Sequence, residues 1–331
     1  MTPFSRLPVG ISVYVATICP LNTANANCCL LMGKITEQLR KEFAAALRRK
    51  IVPRTALQRG EQKAAEIETV ADLIAGGRHP FHAVYSNVAN LLNLFVEELV
   101  DLPFLNRAHA FLLKAQDLYS PGYPPMSPIT VSYYVHWTLF DVPFGADRET
   151  LGDCFLGVSD LLGLDPVQVE AGEKLCHSRL GLYRIVSATD GTFRLREMIT
   201  DREFDTIIPT GFNTEAGRLA LIRVLPPLHG MPSPHIAVTT PYVVVGTPEA
   251  DWLEYFVRQQ VLAGSPGAED RLHRHMKHSQ DDWYWTEFFF YGYVNHRSDA
   301  IFVAGVPDRP ETQPHHPKFN ESTWKERPNR C

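Results

Sequence analysis

The sequence predicts an α+β protein: an N-terminal helical region, a curved antiparallel five-strand sheet or small barrel, and C-terminal helices. Three observations predict this class. Apolar residues recur at helical spacing up to about residue 118, alternate with polar residues from residue 180, and return to helical spacing after residue 247. A hydrophobic share of 45% and a charged share of 21% are typical of globular proteins, so a sizeable core can form.

Charge and composition exclude some classes of function. The net charge of -5 over 331 residues points neither to nucleic acid nor to an anionic membrane. No stretch approaches the ~20 apolar residues of a membrane-spanning helix. The six cysteines include no C-x-x-C pair and are too sparse for a disulfide scaffold, which favours free thiols in a reducing cytoplasm.

Residues 1–32 are predicted to lie outside the fold. We interpret them as an extension, either disordered or the result of a mis-assigned start, because Met32 directly precedes the first amphipathic segment. The alternative is a secretory signal within residues 1–26, since Arg6 and a short apolar run precede the A-x-A sequence at residues 24–26. The predicted location is therefore the cytoplasm, with secretion as the alternative.

Helical spacing predicts a helical region over residues 33–120. Ile35, Leu39 and Phe43 share one face of the first helix. The four predicted helices cover 34–50, 61–74, 81–100 and 106–118. Four prolines between residues 119 and 128 cannot continue a helix, so this run is the predicted boundary to an α+β domain over 129–306.

The segment after this boundary contains two predicted helices and one open assignment. Residues 129–140 suit either a strand or a buried helix, and His136 within them is interpreted as a core histidine. Asp147 is predicted to cap a helix that ends at Gly163. Pro166 is predicted to begin the next helix, which runs to about residue 177.

Period-two alternation predicts a five-strand antiparallel meander. Asp190 and Gly191 are typical of a tight hairpin turn, because a type I′ turn needs positive φ at both central positions. The predicted strands cover 182–188, 192–199, 203–209, 219–225 and 236–246. Three C-terminal helices (248–262, 268–279 and 281–296), a last strand (301–306) and a solvated tail (307–331) follow.

Three side chains near residue 280 are the candidate metal ligands. His275 and His278 are three residues apart on a predicted helix and share a face, and Asp282 follows four residues later. Two imidazoles and a carboxylate can hold Zn or Fe. The alternative is a solvated basic helix face. Glu287, within an aromatic run predicted to be a core helix, is a candidate acid or base if burial raises its pKa.

Basic residues form two further candidate sites. Residues 34–63 contain nine Lys or Arg against three Glu, a local net charge of +6 that suits an acidic partner or nucleic acid, or an ordinary exposed helix. The nucleic-acid candidates are Lys41, Arg48, Arg49 and Lys50. An anion site on the barrel rim is predicted from Arg196, Arg202 and Arg223. The alternative is that Arg196 and Arg223 pair with Glu197 or Glu203 across strands.

Residues 180–228 carry a family resemblance. The residues are Leu182-Tyr183, then the run LREMITDREF over 195–204, then LIRVLP over 221–226. This order resembles a β module of uncharacterised bacterial proteins, some with a metal-binding SEC-C tail. In that module a tyrosine strand precedes L-R-D-L-L-T-G and a strand with A-R-[VL]-L-P.

The sequence departs from this module at informative positions. Glu197 stands at the acid and Asp201 at the glycine, and the C-terminal cysteine cluster of SEC-C tails is missing, with Cys331 alone there. The resemblance implies a bacterial accessory protein without that metal-binding tail, and it transfers no catalytic residues.

Three functions follow as hypotheses. No G-x-S-x-G, H-E-x-x-H or phosphate-binding glycine loop occurs, so the leading hypothesis is a non-enzymatic binding or protein-interaction module with an unknown protein partner and no cofactor. The second is a metal-dependent enzyme using the two histidines and Asp282. The third is a nucleic-acid-associated protein using the basic segment 34–63.

Overall fold

The computed structural model describes residues 33–49, 66–99, 102–124, 126–189, 191–231, 234–261 and 264–316. Within these ranges the chain forms eleven α-helices, two short 3-10 helices and eight strands, which confirms the α+β class. The predicted extension 1–32 and Lys50 lie outside the described residues.

The chain divides into two compact units, and each unit combines two stretches of sequence. The first joins Met1–Leu113 with Val142–His177, and the second joins Lys114–Asp141 with Ser178–Cys331. The structure therefore divides the chain differently from the predicted boundary at 119–128, which falls inside the second unit. Residues 142–177 belong with the N-terminal helices because they pack on them.

The first unit is helical. Leu39 and Phe43 of the first helix are buried, and Phe43, Phe95 and Phe155 form consecutive ring contacts in its core. The first helices are α1 (Lys34–Arg49), α2 (Val70–Ala75), α3 (Pro80–Leu99) and α4 (Asn106–Tyr119), the last crossing the division. The later ones are α6 (Leu151–Gly157), α7 (Ser159–Leu162) and α8 (Pro166–His177).

The start of α6 corrects one prediction. Thr150, not Asp147, is the N-cap: its side chain accepts from the backbone N–H of Asp153, whose carboxylate accepts from the N–H of Thr150. This is a capping box, which satisfies two otherwise unpaired N–H groups at once. The Asp147 carboxylate instead accepts from the N–H of Lys34, 2.9 Å away at the start of α1. Gly163 ends α7 with φ 70°, as predicted.

The second unit contains a closed barrel. Strand β1 (Leu180–Thr189) pairs with both β2 (Thr192–Glu197) and β4 (Leu219–Leu225). Strand β3 (Glu203–Ile207) follows β2, and β5 (His235–Ala237) pairs with both β3 and β4, so the ring closes. Apolar side chains fill the interior.

The fifth predicted strand is divided in two, which corrects the antiparallel meander. Residues 236–246 form β5 and β6 (Tyr242–Val244), separated where Pro241 lacks an N–H and Thr239 Oγ1 accepts from the backbone of Arg223. Strand β5 runs parallel to β3, so the barrel is mixed. Strand β6 extends the sheet to β8 (Ala300–Val303) and β7 (Tyr293–Arg297).

The open segment 129–140 is a helix, α5 (Val131–Phe140). Thr130 caps it by accepting from the N–H of Tyr133 at 3.3 Å, and most of its side chains are buried. A helix apolar on nearly all sides has no amphipathic period, which is why its pattern also suited a strand. His136 is buried and bonds to the carbonyl of Ser132, in agreement with a core histidine.

The C-terminal helices are α9 (Glu249–Arg258), α10 (Ala268–Lys277) and α11 (Tyr284–Gly292). The aromatic run lies in α11 and is largely buried, as predicted for a core helix. The predicted helix over 281–296 is too long, because the chain enters β7 at Tyr293. The predicted tail begins too early, since Gln313 is buried and bonds to the carbonyls of Val306 and Pro307.

Among the described residues, none of the helices has both the length and the apolar character needed to cross a bilayer.

Candidate functional site

A cleft of about 190 Å³ opens in the second unit beside the start of α5. Three segments position it: the loop before α5, the chain entering β6, and the β7–β8 turn with the start of β8. The lining residues are Gly122, Tyr123, Pro124, Thr130, Val131, Ser132, Thr240, Arg297, Ser298 and Ile301.

Hydroxyl groups connect the floor of this cleft. Ser132 Oγ lies 3.2 Å from Thr130 Oγ1 and 3.3 Å from Thr240 Oγ1, and it accepts from the backbone N–H of Thr240 at 3.1 Å. Behind them, the hydroxyl of Tyr242 accepts from the N–H of Thr130 and donates to the carbonyl of Pro128. This network holds the loop and the entry to β6 at fixed spacing.

Exposed apolar side chains lie at the cleft and in the loop beside it. Tyr123 and Val131 line the cleft and are 68% and 56% exposed, and Met126, between them in the sequence, is 87% exposed. Tyr123 is held by a hydrogen bond from its hydroxyl to the carbonyl of Ser298, 3.3 Å away. Three large apolar side chains in one short segment are unusual on a protein surface, where such residues are normally scattered. We call Tyr123, Met126 and Val131 the rim.

The charge at the cleft is compensated. Among the described residues that line the cleft, Arg297 carries the charge. The Nε and Nη2 of Arg297 donate to the two carboxylate oxygens of Asp299 at 3.0 and 2.9 Å. The guanidinium also lies over the ring of Phe302, 5.3 Å from its centroid. The described residues of the cleft therefore present hydroxyl and apolar groups and no uncompensated charge.

Arg223 and His278, both predicted site residues, meet at Asp141. Nη2 of Arg223 donates to Oδ2 of Asp141, and both side chains are buried. Lys277 Nζ lies 3.5 Å from Oδ1 of the same carboxylate and donates to the carbonyl of Ser178. His278 Nδ1 lies 3.0 Å from the backbone oxygen of Asp141. This cluster connects α5, β4 and α10, and its burial suits structural rather than ligand-binding work.

His275 lies in a different network. Its Nε2 is 2.5 Å from the hydroxyl of Tyr255, which is 3.0 Å from the hydroxyl of Tyr284. Burial lowers the pKa of His275 to about 4 and raises the pKa of Tyr255 well above its usual range. The imidazole is thus neutral and accepts from the tyrosine.

The three candidate metal ligands therefore have separate partners. Asp282 uses its backbone oxygen to accept from Trp137 Nε1 at 2.9 Å. Within the described part of the chain, no group of three His, Cys, Asp or Glu side chains could hold a metal ion. Glu287 is partly rather than fully buried in α11. The geometry of these residues gives the metal hypothesis no support.

The predicted rim arginines of the barrel are paired with carboxylates. Arg196 binds Asp201 at 2.8 Å, and Arg202 binds Glu269 at 2.6 Å. Together with the buried Arg223, they do not converge on a common anion site. The alternative, that Arg196 or Arg223 pairs with Glu197 or Glu203 across strands, is wrong as well: Arg196 pairs with Asp201 in the turn and Arg223 with Asp141. The cross-strand ion pairs in this region are instead made by Arg194, which is bound to both Glu203 and Asp205.

Most of the nucleic-acid candidates lie outside the described residues. Lys41 is exposed on α1, the side chains of Arg48 and Arg49 are outside the described residues, and so is Lys50. Arg40, on the same helix, makes a two-point ion pair with Asp160 at 2.5 and 2.8 Å.

Sequence reasoning missed the cleft, whose residues are far apart along the chain. Thr240 and Ser132 are 108 residues apart, and no spacing rule joins them. A signal did exist: Tyr123 and Met126 are large apolar residues within a proline-rich loop, where they have no helical or strand face to pack. No family model, curated protein or solved structure matches the chain, so the resemblance over 180–228 stays a prediction.

Proposed function

We propose that this chain is a binding module that captures an apolar side chain on an exposed segment of a partner protein. The observation that supports this function is the rim: two exposed apolar side chains line the cleft, and a third lies between them in the sequence. Apolar anchors that fill small pockets supply most of the affinity at protein interfaces. Hydrogen bonds already hold the floor of the cleft in place, so binding costs little further conformational entropy.

The volume of the cleft favours a side chain over a cofactor. Sites for small molecules enclose about 300–1,000 Å³, whereas this cleft encloses about 190 Å³. Its described lining residues carry no uncompensated charge, because Arg297 is bound to Asp299. A charged group would lose its hydration there without a partner charge, so an uncharged apolar side chain is the matching occupant.

Site-specific photo-crosslinking tests this proposal. A photoreactive amino acid replaces Met126 in the full chain, and the matched control replaces Val257, which is 58% exposed on α9. We expect one crosslinked protein from position 126 and none from position 257. With that partner purified, Val131→Ser is expected to weaken binding at least about tenfold, the loss for a residue worth about 1.4 kcal/mol.

Val257→Ser is the control for the binding measurement, since both valines have similar exposure. Equal affinities for Val131→Ser and wild type would rule out the rim as the binding surface. A crosslinked product that consists of two copies of this chain would indicate self-association instead of binding to another protein. Crosslinking to nucleic acid would favour the third sequence hypothesis instead, and such binding would fall steeply with salt.

A further inference from the structure

The barrel closes along a short seam between β3 and β5. Only two residue pairs form this parallel pairing in the described chain, Thr206 with His235 and Ile207 with Ile236. The second edge of β5 is equally short, with Val224 and Leu225 of β4 as its partners. Closure therefore depends on few backbone hydrogen bonds.

Thr206 and His235 face the barrel interior. Thr206 pairs with Phe193 on β2, and Phe193 belongs to the interior core, so both side chains lie on the inner face. His235 is the neighbour of Thr206 across the seam, and its ring stacks on Phe204 at 4.3 Å between centroids. Two polar side chains thus adjoin one another among aromatic and aliphatic groups.

Each of these side chains has a buried polar atom that has no hydrogen-bond partner among the described residues. The atoms are Thr206 Oγ1 and His235 Nδ1. Burial lowers the pKa of His235, so the ring is neutral and can accept at one nitrogen. A buried polar group without a partner is costly, and native proteins satisfy nearly all such groups with protein or ordered water. Two at adjacent positions indicate a shared partner.

We propose that one water molecule bridges Thr206 Oγ1 and His235 Nδ1 and links β3 to β5 inside the barrel. Water can donate to Nδ1 and exchange a second hydrogen bond with the hydroxyl, which satisfies both atoms. Two polar partners are the minimum for an ordered buried water. The bridge would supplement the two backbone pairs of the seam.

A crystal structure of the full chain at about 1.5 Å or better, with matched variants, tests the bridge. We expect solvent density within about 3.2 Å of both atoms in the wild type. Thr206→Val keeps the shape of threonine and removes the hydroxyl. It is expected to lose this density, lower Tm, and speed hydrogen exchange at the amides of residues 206, 207, 235 and 236. Thr189→Val, at an exposed position on β1, controls for the same change elsewhere.

Two further variants keep the test decisive. Thr206→Ser keeps a hydroxyl and is expected to keep the density, even if Thr206→Val does not fold. Thr206→Val combined with His235→Phe removes both polar atoms, and it is expected to recover part of the Tm lost by Thr206→Val. Wild-type density that joins Oγ1 directly to Nδ1, or a Thr206→Val protein with unchanged Tm and no lost water, would overturn the proposal.

Discussion

Oε1 of Glu149 accepts hydrogen bonds from both the backbone N–H and the Oγ1 of Thr36, at 3.0 and 2.5 Å, across 113 residues of sequence. Oε2 accepts from the N–H of Ile35 at 2.9 Å. The first N–H groups of a helix have no partner within the helix, and the helix dipole favours a negative charge there. Glu149 therefore serves as the cap of α1 from a distant segment.

Replacing Glu149 is expected to destabilise the first unit. Glu149→Ala leaves the buried N–H of Thr36 and the partly buried N–H of Ile35 without this acceptor, which costs about 1–3 kcal/mol of unfolding free energy. Gly33→Ala is expected to act in the same direction, because a Cβ there would lie 2.1 Å from Cδ of Glu149. Urea unfolding of the two variants measures this, with the exposed Glu215→Ala as control. Stabilities equal to wild type would show that the carboxylate does not cap α1.

Neutralising Asp141 is expected to be far more damaging than neutralising an exposed carboxylate. Asp141→Asn leaves Arg223 and Lys277 buried without their counter-charge, and removing one partner of a buried ion pair costs about 3–5 kcal/mol. Asp201→Asn is the control, because Asp201 pairs with Arg196 at the surface and asparagine tolerates its φ of 56°. Calorimetry of both variants checks this. Similar Tm values would contradict the structural role of the buried cluster.

His275 is expected to make stability depend on pH. Its pKa is about 4 in the folded chain and about 6.5 when unfolded, so the unfolded state binds more protons between these values. The contribution of His275 to the free energy of unfolding is fully present above about pH 6.5. As the pH falls towards 4, roughly 2–3 kcal/mol of it is lost. NMR titration checks the pKa.

His275→Gln, which can still accept from Tyr255, should flatten that pH profile. His82, in the first unit, has a pKa also lowered to about 4 by burial, so part of the acid sensitivity should remain in the variant. A measured pKa of His275 near 6.5 would contradict a neutral, partly buried imidazole.

A side chain at position 181 is expected to destabilise the barrel. A Cβ at this position would lie 2.3 Å from the hydroxyl of Tyr183 and 2.6 Å from its Cε2, because the tyrosine folds back over the glycine along β1. Gly181→Ala must therefore displace a buried ring, at a cost of about 1–3 kcal/mol. Thermal unfolding measures the loss. Gly181→Ala combined with Tyr183→Val should lose less unfolding free energy than the sum of the losses in the two single variants. Strictly additive losses would argue against this contact.

Local chemistry explains which parts of the fold the sequence predicts well. Gly163 and Pro166 act through their own backbone preferences, so their helix boundaries follow from the residues alone. Asp147 illustrates the limit, since Thr150 is an equally good cap three residues later and the carboxylate of Asp147 is used at α1. The division of the strand over 236–246 depends on Thr239 meeting the backbone of Arg223, a contact that no local pattern contains.

The candidate site was harder to predict for the same reason. Helical spacing placed His275 and His278 together, yet each ring bonds to a different element, and spacing alone does not fix side-chain direction. Ser132 and Thr240 carry no signal individually, because single hydroxyl residues are common at turns and helix starts. Their proximity arises because the start of α5 lies against the chain entering β6, which only the folded chain reveals.

The interleaved division of the chain has a consequence for its synthesis. All residues of the first unit have been synthesised once the ribosome reaches residue 177. Residues 114–141 belong to the second unit, so they can pack only after residues 178–316 have been synthesised. At about 5–20 residues per second, this wait lasts on the order of ten seconds. Throughout it, the apolar helix α5 has been translated without the strands that later cover it. The nascent chain at this stage is therefore a natural client for chaperones, and slower translation would lengthen its exposure to aggregation.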